Sequence, residues 1–282
     1  MSDNKKPLSD WLVASDIDGT LNNKFRKLPK RNYEAIHKYV DELGGNFILS
    51  SGRSVESMRK HFKNLNISSG YAVFVNGAGV YDYNKEKIIW FSPVEEAYKQ
   101  VVMAAFNKFK NSLASLQIVT LNDVMMVNGT LPAKILAKSS KLPIVKYKST
   151  EEFPEVDWCK VIFTAMPPTL KKIEAYIREN IGTDGKNLMY SSLFSFEVVS
   201  GKTNKGVAVM KAAELLGVDP SKTAAIGDFF NDYEMLKAVA LPACCGQAPN
   251  EMKKISKLVT CHCNNGAVAD LIEYIIKNNN KL

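Results

Sequence analysis

Apolar residues gather in short unbroken runs toward both ends of the chain: WLVA at 11–14, FIL at 47–49, YAVFV at 71–75 and TAAIG at 223–227. Each run stops at an Asp, Asn, Ser or Gly, and short apolar runs closed by turn formers read as strands buried on both faces. Between them the period changes. Tyr33, Ile36, Tyr39, Val40 and Leu43 recur at helical spacing, and Gly44-Gly45 stops that helix, placed at 29–43. Further helices are expected at 55–62, 205–216, 231–238 and 267–277, with a last strand at 258–261. Strand alternating with helix predicts an α/β protein, a doubly wound parallel sheet with a Rossmann-like core.

The middle of the chain has another texture. After VYDYNKEKIIWF at 80–91, which reads as a hairpin, come a long amphipathic helix at 93–109, strands near 117–120, 124–127 and 158–165, and a helix at 169–180. We therefore expect two domains, a core from 1–92 and 192–282 and a large inserted α+β domain from 93–191. The chain has 282 residues, which accommodates two such lobes.

Composition narrows the class. With 46% hydrophobic and 23% charged residues the chain is of ordinary globular make-up, and no run approaches the ~20 apolar residues of a membrane span. The N-terminal MSDNKKPLSD has neither the apolar stretch of a secretory signal nor the Arg-rich face of a transit peptide, so a cytoplasmic protein is expected. The net charge of +8 is spread as lysine along the chain, with only five arginines and no basic block. That distribution describes a solvated surface that steers anionic substrates, and it argues against nucleic-acid and membrane partners. No obligate protein partner is evident. The five cysteines read as reduced thiols; Cys244-Cys245, which follows an apolar strand, is placed in the core, and the Cys261-His262-Cys263 run in a core strand, since it matches no zinc spacing. His37 and His61 read as structural or solvated.

Several polar segments stand at expected strand ends, the edge where doubly wound sheets bind ligands. In Asp16-Ile17-Asp18-Gly19-Thr20, two carboxylates two residues apart on extended chain can face one volume, although Asp and Gly also favour plain turns. Gly227-Asp228-Phe229-Phe230-Asn231-Asp232 opens a helix; such residues cap helices, but three of them exceed what one cap needs. Together Asp16, Asp18, Asp228 and Asp232 form an oxygen-donor set suited to Mg²⁺. Ser51-Gly52 offers a hydroxyl and amides before a helix, a small phosphate cradle. Lys205 falls in the first turn of a helix, where a cation opposes the dipole; it is either a solvated lysine or a group held for an anion.

DIDGT at Asp16, SGR at Ser51, TNKG at Lys205 and GDFFND at Asp228, in that order, resemble the motifs of the haloacid dehalogenase-like hydrolase superfamily. The insertion resembles the cap of its Cof-type subfamily, and NGAGV at Asn76 and NNGAV at Asn264 are similar to recurring segments there. The resemblance spans residues 11–276 and implies a Mg²⁺-dependent phosphatase of small phosphorylated metabolites such as sugar phosphates, with the inserted cap setting specificity. It implies Asp16 as the nucleophile, Asp18 as general acid and base, and Ser51, Gly52, Lys205 and Asn231 around the phosphoryl group. It also implies Asp16, Asp18 through its backbone carbonyl, and Asp228 as metal ligands supported by Asp232. Phe229 departs from the pattern, which has a small residue there; it is either buried under the sheet or narrows the pocket. A phosphosugar mutase, which the late insertion disfavours, and a non-catalytic sensor of a phosphorylated ligand, for which two aspartates are superfluous, are the alternatives.

Overall fold

The computed structural model describes residues 6–181 and 187–279, so the first five residues of the N-terminal segment read above lie outside it. In chain order the regular elements begin with β1 (Leu12–Ser15), α1 (Lys30–His37), β2 (Asn46–Ser50), α2 (Val55–Leu65), β3 (Tyr71–Phe74), β4 (Gly79–Asp82) and β5 (Lys87–Phe91). There follow α3 (Glu96–Phe109), β6 (Ser115–Val119), β7 (Val124–Val127), α4 (Leu131–Lys138), β8 (Ile144–Lys146), β9 (Lys160–Thr164), α5 (Pro167–Ile181), β10 (Leu188–Ser192) and β11 (Ser195–Val198). The chain closes with α6 (Lys205–Leu215), β12 (Thr223–Gly227), α7 (Tyr233–Ala238), β13 (Leu241–Cys244), α8 (Asn250–Ile255), β14 (Leu258–Val259) and α9 (Ala267–Asn278). They form two compact units, Met1–Phe91 with Asn204–Leu282, and Ser92–Thr203.

The first unit is an eight-stranded sheet ordered β14-β13-β12-β1-β2-β3-β4-β5, parallel from β14 to β3 and finished by the antiparallel β4 and β5. Leu12, Ala14, Ile48, Val73 and Ala225 pack with α6 and α7 on one face. Their neighbours Val13, Phe47 and Leu49 are equally buried, and side chains alternate along a strand, so they belong to the other face. Burial on both faces is why these strands are continuously apolar. The expected helix at 29–43 is α-helical only to His37 and continues as a wider π turn over Lys38–Glu42.

The last expected strand is shorter than 258–261. By Cys261 the backbone N–H has turned to Asp270 Oδ2 at 2.7 Å, and His262 Nδ1 accepts from Asn264 N–H at 3.1 Å to cap the turn Cys263–Asn265. Cys261 and His262 therefore sit in a loop instead of a core strand, whereas Cys244 and Cys245 are buried.

The second unit is a six-stranded sheet ordered β10-β11-β9-β6-β7-β8, antiparallel but for the β7–β8 pair. Alternate residues Leu116, Ile118, Met125, Val161, Phe163 and Phe196 form one apolar core with Val102 and Phe106 of α3 and with Leu170, Ile173 and Ile177 of α5. The hairpin of β10 and β11 straddles the boundary expected at 191: β11 pairs with β9 in register Ser195↔Thr164, so this sheet continues past residue 192.

Helix α6 lies tightly on α7. A Cβ built at Gly206 would stand 2.4 Å from the carbonyl oxygen of Glu234. Glycine to alanine inside a helix ordinarily stabilises by about 0.5–1 kcal/mol. At this position the sign reverses, because backbone cannot yield as a flexible side chain can: Gly206→Ala lowers unfolding stability by about 1–3 kcal/mol in a urea titration. A more stable variant would show that the helices separate freely.

Candidate active site

The order of the sheet fixes where the site forms. Chain connections run outward from β1 through β2 and β3 on one side, and from β12 through β13 and β14 on the other, so the switch point lies between β1 and β12. These two strands pair in parallel with Ser15 opposite Ile226, and the Asp16 N–H extends the ladder by donating to Ile226 O at 3.0 Å. Asp16 and Asp228 therefore leave neighbouring strands at the same edge. Gly19 makes the approach possible: its φ is +87°, and a Cβ there would stand 2.3 Å from Asp228 Oδ2.

Lys205 is the first residue of α6, whose N-cap Asn204 accepts the Val207 N–H at 2.9 Å through its side chain. The lysine is 1% exposed, so the surface reading fails. Its Nζ donates to Asp16 Oδ1 at 2.7 Å and to Asp232 Oδ1 at 2.6 Å. Asp232 Oδ2 in turn accepts the Asp228 N–H at 3.2 Å. One carboxylate thus ties helix α6 to the loop after β12.

Oxygens of Asp16, Asp228 and Asp232 lie within 4.8 Å of one another. Burial, then the neighbouring Asp232, pushes the Asp16 carboxyl up to about 7. Burial and Asp16 push Asp228 up to about 6, and burial raises Asp232 as well. Burial works against the Lys205 ammonium, but the two carboxylates outweigh it and hold its pKa above the ordinary lysine value. Three carboxylates against one ammonium leave negative charge uncompensated in a buried space. An all-oxygen donor set of this kind fits a hard divalent cation such as Mg²⁺.

The other expected residues are placed differently. The Asp18 carboxylate is turned away from that cluster to Arg53, with Nε–Oδ2 at 3.0 Å, Nη2–Oδ1 at 3.0 Å and Nη2–Oδ2 at 2.8 Å. At 31% and 48% side-chain exposure this pair contributes at most about 1 kcal/mol, so it can open. Ser51 is buried just past β2; its N–H donates to Val73 O at 2.9 Å, and Gly52 lies against the Asn76 side chain. Asn231 is exposed in the turn Phe230–Asp232 that precedes α7. Two contributors escaped the sequence reading. Arg53 directly follows the Ser51-Gly52 cradle and was legible as a cation beside it. Gln247, which donates to Gly19 O at 2.6 Å and accepts the Cys263 N–H at 3.1 Å, carried no sequence signal.

The triad generates a test. In Lys205→Met, Asp16 and Asp232 lose their counter-charge, a loss of about 3–5 kcal/mol when both are ionised. A carboxyl whose folded pKa is raised binds a proton that the unfolded chain does not, so folded stability falls as pH rises through that window. The deficit of Lys205→Met relative to the parent is therefore large at about pH 8 and smaller at about pH 5 in urea titrations. A deficit independent of pH would separate the lysine from the carboxylates.

Comparisons with known proteins identify the family. A family profile for haloacid dehalogenase-like hydrolases matches residues 13–272. Phosphatase YwpJ of Bacillus subtilis is 25% identical over 290 residues, covering 94% of this chain and 99% of its own. The 5-amino-6-(5-phospho-D-ribitylamino)uracil phosphatase YcsE of the same organism is 25% identical over 266 residues, covering 92% of this chain and 93% of its own. The crystal structure of a haloacid dehalogenase-like hydrolase from Bacteroides thetaiotaomicron superposes with a TM-score of 0.81 at 22% identity, covering 94% of this chain and 99% of that one. With the profile spanning nearly its whole length, the chain belongs to the haloacid dehalogenase-like hydrolases.

Proposed function

We propose that the protein is a Mg²⁺-dependent phosphatase that hydrolyses small phosphate monoesters, sugar phosphates or related metabolites, through an aspartyl-phosphate. The observation that carries this reading is the buried Asp16–Lys205–Asp232 arrangement beside Asp228. Lys205 occupies Asp16 Oδ1, and Oδ2 is the oxygen we assign to attack phosphorus. The bond from phosphorus to the ester oxygen breaks, and the Asp18 carboxyl, released from Arg53 and protonated, gives its proton to the leaving alkoxide. Asp18 then takes a proton from the water that attacks the aspartyl-phosphate, which frees phosphate and restores Asp16.

Lys205, the Ser51 hydroxyl, the amides around Gly52 and the Asn231 side chain are assigned to the phosphoryl oxygens. Phosphoryl transfer rests on such positioning and charge stabilisation. Asp16 and Asp228, with the Asp18 carbonyl, would hold Mg²⁺, and Asp232 would fix both Lys205 and the Asp228 backbone around it. When bound, the ion supplies positive charge to the phosphoryl oxygens. Among the relatives, a phosphatase acting on a phospho-ribitylamino-uracil supports metabolite-sized esters. Selection among leaving groups is assigned in part to the inserted unit, Ser92–Thr203.

Two outcomes test this. Asp16→Asn should fold and lose phosphate release by about a thousandfold or more, since an amide is a poor nucleophile; a variant retaining a tenth of the rate would remove Asp16 from that role. Because Asp16 and Asp228 are pushed up to about 7 and about 6, protons compete with the cation for them. Mg²⁺ affinity therefore rises between about pH 5 and 8 with release of protons, measurable by calorimetry in buffers of different ionisation heat. Affinity that is flat over this range would place the ion elsewhere.

A further inference from the structure

The loop joining the two cluster carboxylates Asp228 and Asp232 carries two adjacent phenyl rings. Phe229 and Phe230 are 56% and 50% exposed, and their centroids stand 5.1 Å apart at 67°, edge against face. Phe229 is therefore not buried under the sheet, one of the two readings its sequence left open. The turn does not need these rings. It is closed by the Asp232 N–H donating to Phe229 O at 2.9 Å and by Asp232 Oδ2 accepting the Asp228 N–H at 3.2 Å. Nor do they join the core against α6 and α7, as Tyr233 does. A polar residue at either position would serve the turn equally and leave less apolar surface in water; contiguous exposed apolar surface beside a site marks a binding function.

The occupant follows from charge and reach. The ring faces carry negative quadrupole density and gain nothing from a phosphate dianion. In a monoester the other partner is the leaving group, which begins one covalent bond from the phosphorus at Asp16. The Cα of Phe229 is one peptide, about 3.8 Å, from that of Asp228, so the aromatic pair is carried on the same short loop as two of the cluster carboxylates. An aromatic ring gains most from a preformed edge-to-face pair, by adding a third member.

Resting on the phosphatase reading above, we propose that Phe229 and Phe230 form an aromatic platform that selects phosphate monoesters whose leaving group carries an aromatic or heteroaromatic ring. The two residues determine specificity and take no part in bond making.

The test compares benzyl phosphate with ethyl phosphate, two alkyl esters of similar leaving-group basicity, on the full chain with Mg²⁺. The parent should favour benzyl phosphate by about tenfold or more in kcat/KM, chiefly through KM. The double variant Phe229→Ala/Phe230→Ala should lose about tenfold on benzyl phosphate and less than threefold on ethyl phosphate, so the preference collapses. Both residues are at least half exposed, so the variant folds, and its melting curve checks this. A parent with no preference, or a variant that keeps it, overturns the platform. A fall of equal size on both esters also overturns it, because the rings would then support the metal loop alone. A parent that releases phosphate from neither ester fails differently: it counts against the phosphatase reading, and the platform falls with it.

Discussion

A lysine sealed from water can remain charged only if negative charge is sealed in with it, and in this protein that condition organises the site. The Lys205 ammonium lies between Asp16 and Asp232, and each partner comes from a different element: Asp16 from the end of β1, Asp232 from the turn after β12, Lys205 from the first turn of α6. Removing the lysine strands two buried carboxylates, whereas removing either aspartate still leaves the ammonium a partner, so the lysine is the member on which the arrangement depends. The excess carboxylate charge that remains is what would hold a divalent cation. Electrostatic frustration of this kind marks functional sites, where charges are set for chemistry more than for stability.

The fold delivers these groups across large sequence distances. Asp16 and Lys205 are 189 residues apart, yet the chain leaves the first unit after β5 and returns at Asn204, the residue that caps α6. The insertion therefore ends at Thr203, two residues before the lysine, and a whole second sheet can be accommodated without disturbing the triad. Parallel pairing of β1 with β12 does the rest by bringing two aspartates to one edge.

Much of this was legible in the sequence, for identifiable reasons. The parallel sheet showed because strands buried on both faces must be continuously apolar, and Asp16 and Asp228 showed because they end such runs. Lys205 was ambiguous: a lysine in a lysine-rich chain gives no sign of burial until α6 is packed against the sheet. The partner of Asp18 was invisible, since pairing with Arg53 depends on how the loops after β1 and β2 turn toward each other. In the second unit, α4 and β8 are short and partly exposed, and β10 carries the polar, exposed Tyr190 and Ser192, so the hairpin that extends that sheet past residue 191 left little apolar pattern to read. Cys261 and His262 misled for the opposite reason: their strand-like neighbours continue, but Asp270 draws the backbone away.

The central claim is that the carboxylate gripped by Lys205 is the one that takes the phosphoryl group. The most direct measurement is rapid acid quenching of the Mg²⁺-loaded protein during turnover of a phosphate ester, followed by digestion under acid and mass analysis of the peptides. The account predicts a transient phosphoryl adduct on the peptide containing Asp16, absent when that residue is Asn. Steady turnover with no adduct on any peptide, or an adduct at another residue, would contradict it.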